Sequence, residues 1–330
     1  MSVRSVFGLL VSSVLLVVFF QSLDIGSMAT TMRDASYAFV IPAVAVYFGG
    51  VWLRAARWRL LVAPFAAVPT ARLFRVIVIG FAVNNVLPLR LGEIVRTFLL
   101  RRSDGVPIAA SLATVLLERL LDVIALCALM TIVLLFVPLD GWVLALASFA
   151  GLVTTGAAAG LLILLVLPRS ARHRLLDVGV ALADRLGRRL GSFARSFLEG
   201  VRAIEDTRTV LAVGCLSIAC WVAELGLYYC MMLAFGFDSG VLSVAAGMVV
   251  ANLATALPSS PGYIGTFDVP LQLLLTETFG VPDATAASYT LLTHAVLLVP
   301  VVLAGLVLLS REDLSLRSLT RGRVESRSAA

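Results

Sequence analysis

The chain contains no lysine: all 26 of its basic residues are arginine. That absence excludes a Walker A phosphate-binding lysine and a Schiff-base lysine, and with them nucleotide-driven pumping by this chain alone. Histidine is nearly missing too, since His173 and His294 are too few and too far apart for a zinc site. Cys127, Cys215, Cys220 and Cys230 lie in apolar stretches without CxxC spacing, so they read as buried hydrophobes rather than metal or redox groups. No metal or other cofactor is expected. Charge is scarce as well, at 14% of residues against roughly a quarter in soluble domains. Neither HExxH, a Gly-x-Ser-x-Gly elbow nor a glycine-rich dinucleotide fingerprint occurs.

Apolar length is what the chain has. Sixty per cent of 330 residues are hydrophobic, enough for roughly nine or ten bilayer crossings at ~20 residues each. With a mean hydropathy of +1.01, the fold class is an all-α polytopic membrane protein, and the chain reads as one transmembrane domain. Apolar runs occupy about 5–21, 37–53, 74–89, 106–136, 142–167, 209–235, 242–257 and 284–309, with a shorter piece at 268–279. The first run follows Arg4 and competes with a signal-peptide reading, which its length and the membrane-bound remainder disfavour. A basic pI near 9.6 raises nucleic acid as a partner. The arginines between apolar runs instead report topology and attraction to anionic lipid.

Arginine placement orients the spans. Arg54, Arg57, Arg59, Arg72 and Arg75 form one cluster, Arg101 and Arg102 another; nine arginines lie in 168–208 and five follow the last span. The positive-inside bias puts all of these, and both termini, on the cytoplasmic side of the cell membrane. Residues 74–100 then enter and leave from the cytoplasm, and 242–283 from outside. Each reads as a re-entrant hairpin broken at a Leu-Pro, set among about seven or eight membrane helices; two ordinary short spans per region is the competing reading. Broken backbone at membrane depth survives where protein or a watery cavity satisfies it.

The two broken regions carry the same landmarks in order. Asn85, Leu87-Pro88, Gly92-Glu93, Gly105-Val106-Pro107 and Ser111 are followed by Leu116-Leu117-Glu118-Arg119. Asn252, Leu257-Pro258, Gly262, Gly265, Asp268, Gly280-Val281-Pro282 and Ser288 are followed by Leu291-Leu292-Thr293-His294. This is the pattern of an inverted repeat, 1–167 against 209–310, which puts a site at mid-membrane between the halves. Between them, 168–208 reads as a cytoplasmic amphipathic linker helix. Leu175, Leu182, Leu186 and Leu190 lie on its apolar face, and arginines fill much of the other. The arginine-rich tail 311–330 reads as disordered.

Charges inside apolar runs mark candidate function, because each costs at least ~2.5–3.5 kcal/mol at the bilayer centre. They are Arg90, Glu93 and Arg96 after the first break, Glu118, Arg119 and Asp122 in 106–136, Glu224, and Asp268 after the second break. A spacing of three residues lets Glu93 pair with Arg90 or Arg96 and Arg119 with Asp122, and Glu118 stands four residues from Asp122. Two uses compete. The ion pairs hold the hairpin to the long helix, or Arg90, Arg96 and Arg119 stay open to receive an anion bidentately. Asn85, Ser259, Ser260, Gly262 and Tyr263 at the breaks are further candidate ligands, with Glu93, Glu118, Asp122 and Asp268 as gating or ion-pair residues. Asp268 also reads as a helix cap, and His294 as a proton relay or a packing histidine. Ser259 or Ser260 with His294 would give a nucleophile and base, but without an elbow to present them.

These same residues carry a resemblance. Asn84-Asn85-Val-Leu-Pro88-Leu-Arg90-Leu-Gly92-Glu93-Ile-Val-Arg96, Glu118-Arg119-Leu-Leu-Asp122, and Leu257-Pro258-Ser-Ser-Pro261-Gly262-Tyr-Ile-Gly265-Thr-Phe267-Asp268 resemble three ordered motifs of the lysylphosphatidylglycerol synthase transmembrane (flippase-like) family. The resemblance implies a membrane domain that moves phospholipids or polyprenyl-linked headgroups between leaflets. It also implies a stand-alone member, since about 20 residues follow the last span and leave no room for the aminoacyl-transferase domain. The expected partners are membrane lipids with an anionic headgroup, and a second copy or a lipid or glycan biosynthetic enzyme. The competing class is a non-transporting scaffold or regulator of such an enzyme.

Overall fold

The computed structural model describes residues 24–87, 91–137, 141–166, 207–255 and 260–311, with isolated positions between 171 and 181. The described residues form helices: α1 (Ile25–Asp34), α2 (Val40–Val62), α3 (Thr70–Val86), α4 (Leu91–Asp104), α5 (Ile108–Phe136), α6 (Gly141–Val166), α7 (Thr207–Phe235), α8 (Val241–Ala254), α9 (Asp268–Leu273, continued as a π turn over Leu274–Thr278) and α10 (Asp283–Arg311). Four stretches among them are long and apolar enough to cross a membrane: Tyr37–Val62, Ile108–Phe136, Arg208–Phe235 and Asp283–Arg311. The run at 5–21, most of the 168–208 linker and the tail beyond Arg311 lie outside the described residues.

Around its apolar cores the protein also exposes large apolar side chains and buries charges. Leu135 is 73% exposed and Leu152 70%, while Arg57 and Arg96 are 1% exposed. Large apolar side chains therefore face outward, as they do where lipid is the solvent, and the charges turn inward. Two of the four cysteines depart from the buried reading, because Cys215 is exposed and Cys230 half-buried. They sit on the outward side of α7, where an apolar thiol is as welcome in lipid as in a core.

The chain breaks where proline dictates. Leu87, which precedes Pro88, is extended at φ −107 and ψ 142, as the clash of the proline ring with a helical predecessor requires. The chain then turns back, so α3 and α4 form an antiparallel hairpin. The Gly92 N–H donates to Asn84 Oδ1 at 2.7 Å, and a Cβ on Gly92 would lie 1.9 Å from the Gly80 carbonyl oxygen. Only glycine permits that approach. The second break lies between α8 and α9, and its described part runs from 260 to 267. It carries a 3-10 turn at Pro261–Tyr263 and positive φ at Gly262, Tyr263 and Gly265, after which α9 packs back on α8. Each hairpin sits in its own apolar core: Ile77, Ile79, Leu99 and Leu100 in one, Met248, Val249, Leu271 and Leu274 in the other.

The helices after α1 repeat in order. A long helix (α2 or α7) is followed by a hairpin (α3–α4 or α8–α9). A Gly-Val-Pro turn with glycine at positive φ (Gly105, 71°; Gly280, 64°) then leads into a 29-residue helix, α5 or α10. The corresponding helices α2 and α7 run antiparallel, with Val46 against Gly226, Gly50 against Ala223, and Arg57 against Ser217. Packing is exchanged between the sets: α10 lies on α3, and α5 lies on α8.

Candidate functional site

The inward-facing charges form one network. Glu118 accepts from Arg96 at 2.6 Å and lies 3.7 Å from Arg57. Arg57 donates to Asp122 at 2.8 Å, and Asp122 lies 3.4 Å from Arg119. Arg119 meets Glu93 at 3.3 Å, and Glu93 meets Arg96 at 3.3 Å. Cation and anion therefore alternate around a closed ring of six side chains from α2, α4 and α5. Arg54 joins it from α2, 3.3 Å from Asp122, and reaches Glu224 of α7 at 2.8 Å. Four guanidinium groups face four carboxylates, so the buried charge is balanced among these residues. Trp58 and Trp221 supply aromatic faces, 4.1 Å from the Arg96 guanidinium and 4.7 Å from that of Arg54.

Arg54 and Arg57 correct the sequence reading. They are not loop residues: both lie within α2 and are buried in the network. The available signal was the apolar sequence continuing past them through Trp58, Leu60, Leu61 and Val62, together with their three-residue spacing.

Beside this network lies a cavity of about 170 Å³ between the ends of the two hairpins. Asn84, Asn85 and Glu93 border it from the first hairpin, and Asn252, Thr255, Tyr263 and Phe267 from the second. Arg54, Arg119, Glu224, Trp221 and His294 complete the polar wall. Arg119 differs from the other arginines of the ring: its side chain is 35% exposed and its two ion pairs are long. Its Nε is buried with no hydrogen-bond partner among the described residues, as are those of Arg57 and Arg96, and so is the Nε1 of Trp221. An orphan N–H costs about 1–3 kcal/mol when its hydrogen bond is left unmade. Arg96, by contrast, is held between Glu93 and Glu118 and does not border the cavity.

The second break is tied down by His294. Its Nδ1 lies 2.7 Å from Asp268 Oδ1 and its Nε2 lies 2.7 Å from the Gly262 carbonyl oxygen. Asp268 Oδ2 accepts the Gly265 N–H at 2.8 Å, and the Phe267 ring leans on the imidazole at 4.5 Å. Ser260 is hydrogen-bonded toward the Pro261 and Ile264 carbonyls, and neither imidazole nitrogen faces it. Of the sequence candidates, Asn85, Glu93, Arg119, Tyr263 and His294 share the cavity, while Glu118 and Asp122 stand behind Arg119 in the network. Arg90 and Ser259 lie outside the described residues.

Comparison with known proteins bears on this architecture. The family model for the lysylphosphatidylglycerol synthase TM region matches residues 5–305. The chain belongs to that family. A UPF0104 membrane protein of Methanothermobacter thermautotrophicus is 27% identical over 82% of this chain and 84% of its own length. Another from Pyrococcus horikoshii is 25% identical over 87% of this chain and 91% of its own. The glycosyltransferase AglD of Haloferax volcanii is 25% identical over 89% of this chain, a region spanning 52% of that protein. No solved structure matches. This lysylphosphatidylglycerol synthase TM-region protein is thus an all-α membrane protein with a charge-lined cavity between two broken hairpins.

Proposed function

We propose that this protein is a lipid translocase that moves an anionic phospholipid or a polyprenyl-phosphate-linked lipid between leaflets, with the headgroup passing through the cavity. The observation that carries the reading is the position of Arg119. It borders a polar cavity between the two hairpin ends and is more exposed and less tightly paired than the other arginines of the ring. A headgroup phosphate exchanges water for Arg119, the Asn85 carboxamide and the indole N–H of Trp221, while its acyl or prenyl chains stay among the outward-facing apolar helices. Hauling a bare headgroup through hydrocarbon is prohibitive, whereas exchanging hydration for fixed polar partners is not. Arg96, Glu118 and Asp122 hold Arg119 and Glu93 in place. In this reading the halves are inverted in the cell membrane, both termini are cytoplasmic, and the hairpins 74–100 and 242–283 enter from opposite faces. The antiparallel α2 and α7, the exchanged packing and the arginine distribution support that arrangement.

Purified protein in sealed vesicles tests it. Headgroup-labelled phosphatidylglycerol or polyprenyl phosphate is expected to change leaflet well above the rate in protein-free vesicles; equal rates overturn the proposal.

The match to about half of a glycosyltransferase favours one second reading, a non-transporting membrane partner of a lipid or glycan enzyme. Under it, Arg119→Ala leaves cellular function intact while changes along the 175–204 apolar stripe abolish it.

A further inference from the structure

A neutral imidazole has one N–H, yet both nitrogens of His294 face acceptors at hydrogen-bond distance: the Asp268 carboxyl oxygen and the Gly262 carbonyl, each at 2.7 Å. The Gly262 carbonyl can only accept, so Nε2 must donate. The contact at Nδ1 then requires a second proton between Nδ1 and Asp268 Oδ1, whether it is drawn as imidazolium with carboxylate or as imidazole with carboxylic acid. Asp268 Oδ2 is already occupied by the Gly265 N–H at 2.8 Å, so that carboxylate has its other oxygen fixed and no freedom to turn away.

The location gives this proton a consequence. His294 lies on α10, Asp268 opens α9, and Gly262 sits in the break of the second hairpin, with its own φ at 72° and that of Tyr263 at 59°. The imidazole is thus the strut between a strained turn and two helices, and it borders the same cavity as Arg119. In the repeated order of helices His294 stands where Arg119 stands in the first set, and Asp268 where Glu93 stands. Arg119 with Glu93 is a pair that keeps its charge, whereas His294 with Asp268 can lose a proton.

We propose that His294, Asp268 and the Gly262 carbonyl bind a single proton, and that its occupancy holds the turn 260–267 against the cavity. When the proton leaves, one N–H remains for two acceptors. Either the Nδ1 lone pair then faces the carboxylate or the Nε2 lone pair faces the carbonyl, and the strained turn is released. The other ionisable groups around the cavity are Arg54 and Tyr47 of α2, Glu93 of α4, Arg119 of α5, Glu224 of α7 and Tyr263 beside Gly262, with Tyr228 of α7 packed against Phe267. The arginines and carboxylates among them offset one another, so this one proton sets the net charge of the cavity lining. The inference deepens the translocase reading by giving its cavity a coupling ion, and in that respect rests on it.

Amide hydrogen exchange of residues 260–268 tests the site without any transport. The protein is placed in phosphatidylglycerol nanodiscs and exchange is referred to α5 amides of the same sample, which removes the ordinary pH dependence of exchange. As pH rises from about 5 to about 9, relative protection of 260–268 is expected to fall by about ten-fold or more in the wild type. Asp268→Asn keeps the geometry without the proton, because its amide donates to Nδ1 and its oxygen still accepts from Gly265. That variant is expected to stay protected throughout. Wild-type protection that is unchanged across the range overturns the proton site, as does an equal loss in Asp268→Asn. Should Asp268→Asn not fold, the wild-type profile alone decides. Vesicles with an imposed pH gradient separate the two readings: no lipid movement at all, with a pH-dependent exchange profile, removes the translocase and leaves the proton site standing.

Discussion

Glu118→Ala is expected to cost about 3–5 kcal/mol of stability, read as a fall in the unfolding midpoint of the purified protein in micelles. Glu118 is the shared anion between Arg57 and Arg96, and both guanidinium groups are 1% exposed. Removing it leaves two buried cations facing each other across a gap, and breaking a buried pair by deleting one partner is costly by that amount. Arg57 keeps Asp122 and Arg96 keeps Glu93, but four guanidinium groups are then left with three carboxylates, an uncompensated buried charge. Glu118→Gln, which retains the hydrogen bond to Arg96 without the charge, is expected to fall between the variant and the wild type. Equal stability of Glu118→Ala and wild type would show that the ring does not hold α4 to α5.

Arg119→Ala is expected to leave the fold nearly intact and slow lipid translocation by about ten- to a hundred-fold, the equivalent of one or two charge-assisted hydrogen bonds. The separation of effects follows from position. Arg119 is 35% exposed and makes long ion pairs at 3.3 and 3.4 Å, so less of the network depends on it. Arg119→Lys retains the charge and loses the fork, and an intermediate rate is expected. Initial rates in vesicles, with unfolding midpoints measured alongside, check both. A normal rate in Arg119→Ala with a normal fold would remove the headgroup from this cavity.

Much of this arrangement was legible in the letters. Leu-Pro at 87–88 fixed the first break by local sterics, and Pro261, Gly262 and Gly265 fixed the second. Charges inside apolar runs had to face something polar, and Glu93, Arg96, Glu118, Arg119 and Asp122 do. Glu224 was marked by the same rule, but Arg54 and Arg57 were not legible as members. Arg54 and Arg57 stand near the end of an apolar run, where a positive-inside rule and a buried ion pair leave the same signature. Their ion pairs with Glu118 and Asp122 of α5 and Glu224 of α7 distinguish them. The difference between Arg96 and Arg119 likewise depends on which carboxylates surround each, and spacing along one helix cannot reveal a ring closed across three. The pairing of His294 with Asp268 joins residues 26 apart across a turn, for which no periodicity exists to read.

A phosphatidylglycerol bearing a photoreactive diazirine on its headgroup offers the most direct measurement. Irradiated with the protein in bilayers, it is expected to label peptides that border the cavity, around Phe81–Asn85 and Asn252–Phe267, and to lose that labelling in Arg119→Ala. Adducts confined to outward-facing residues such as Leu135 and Leu152, with the cavity peptides unlabelled, would mean that no headgroup enters between the hairpins.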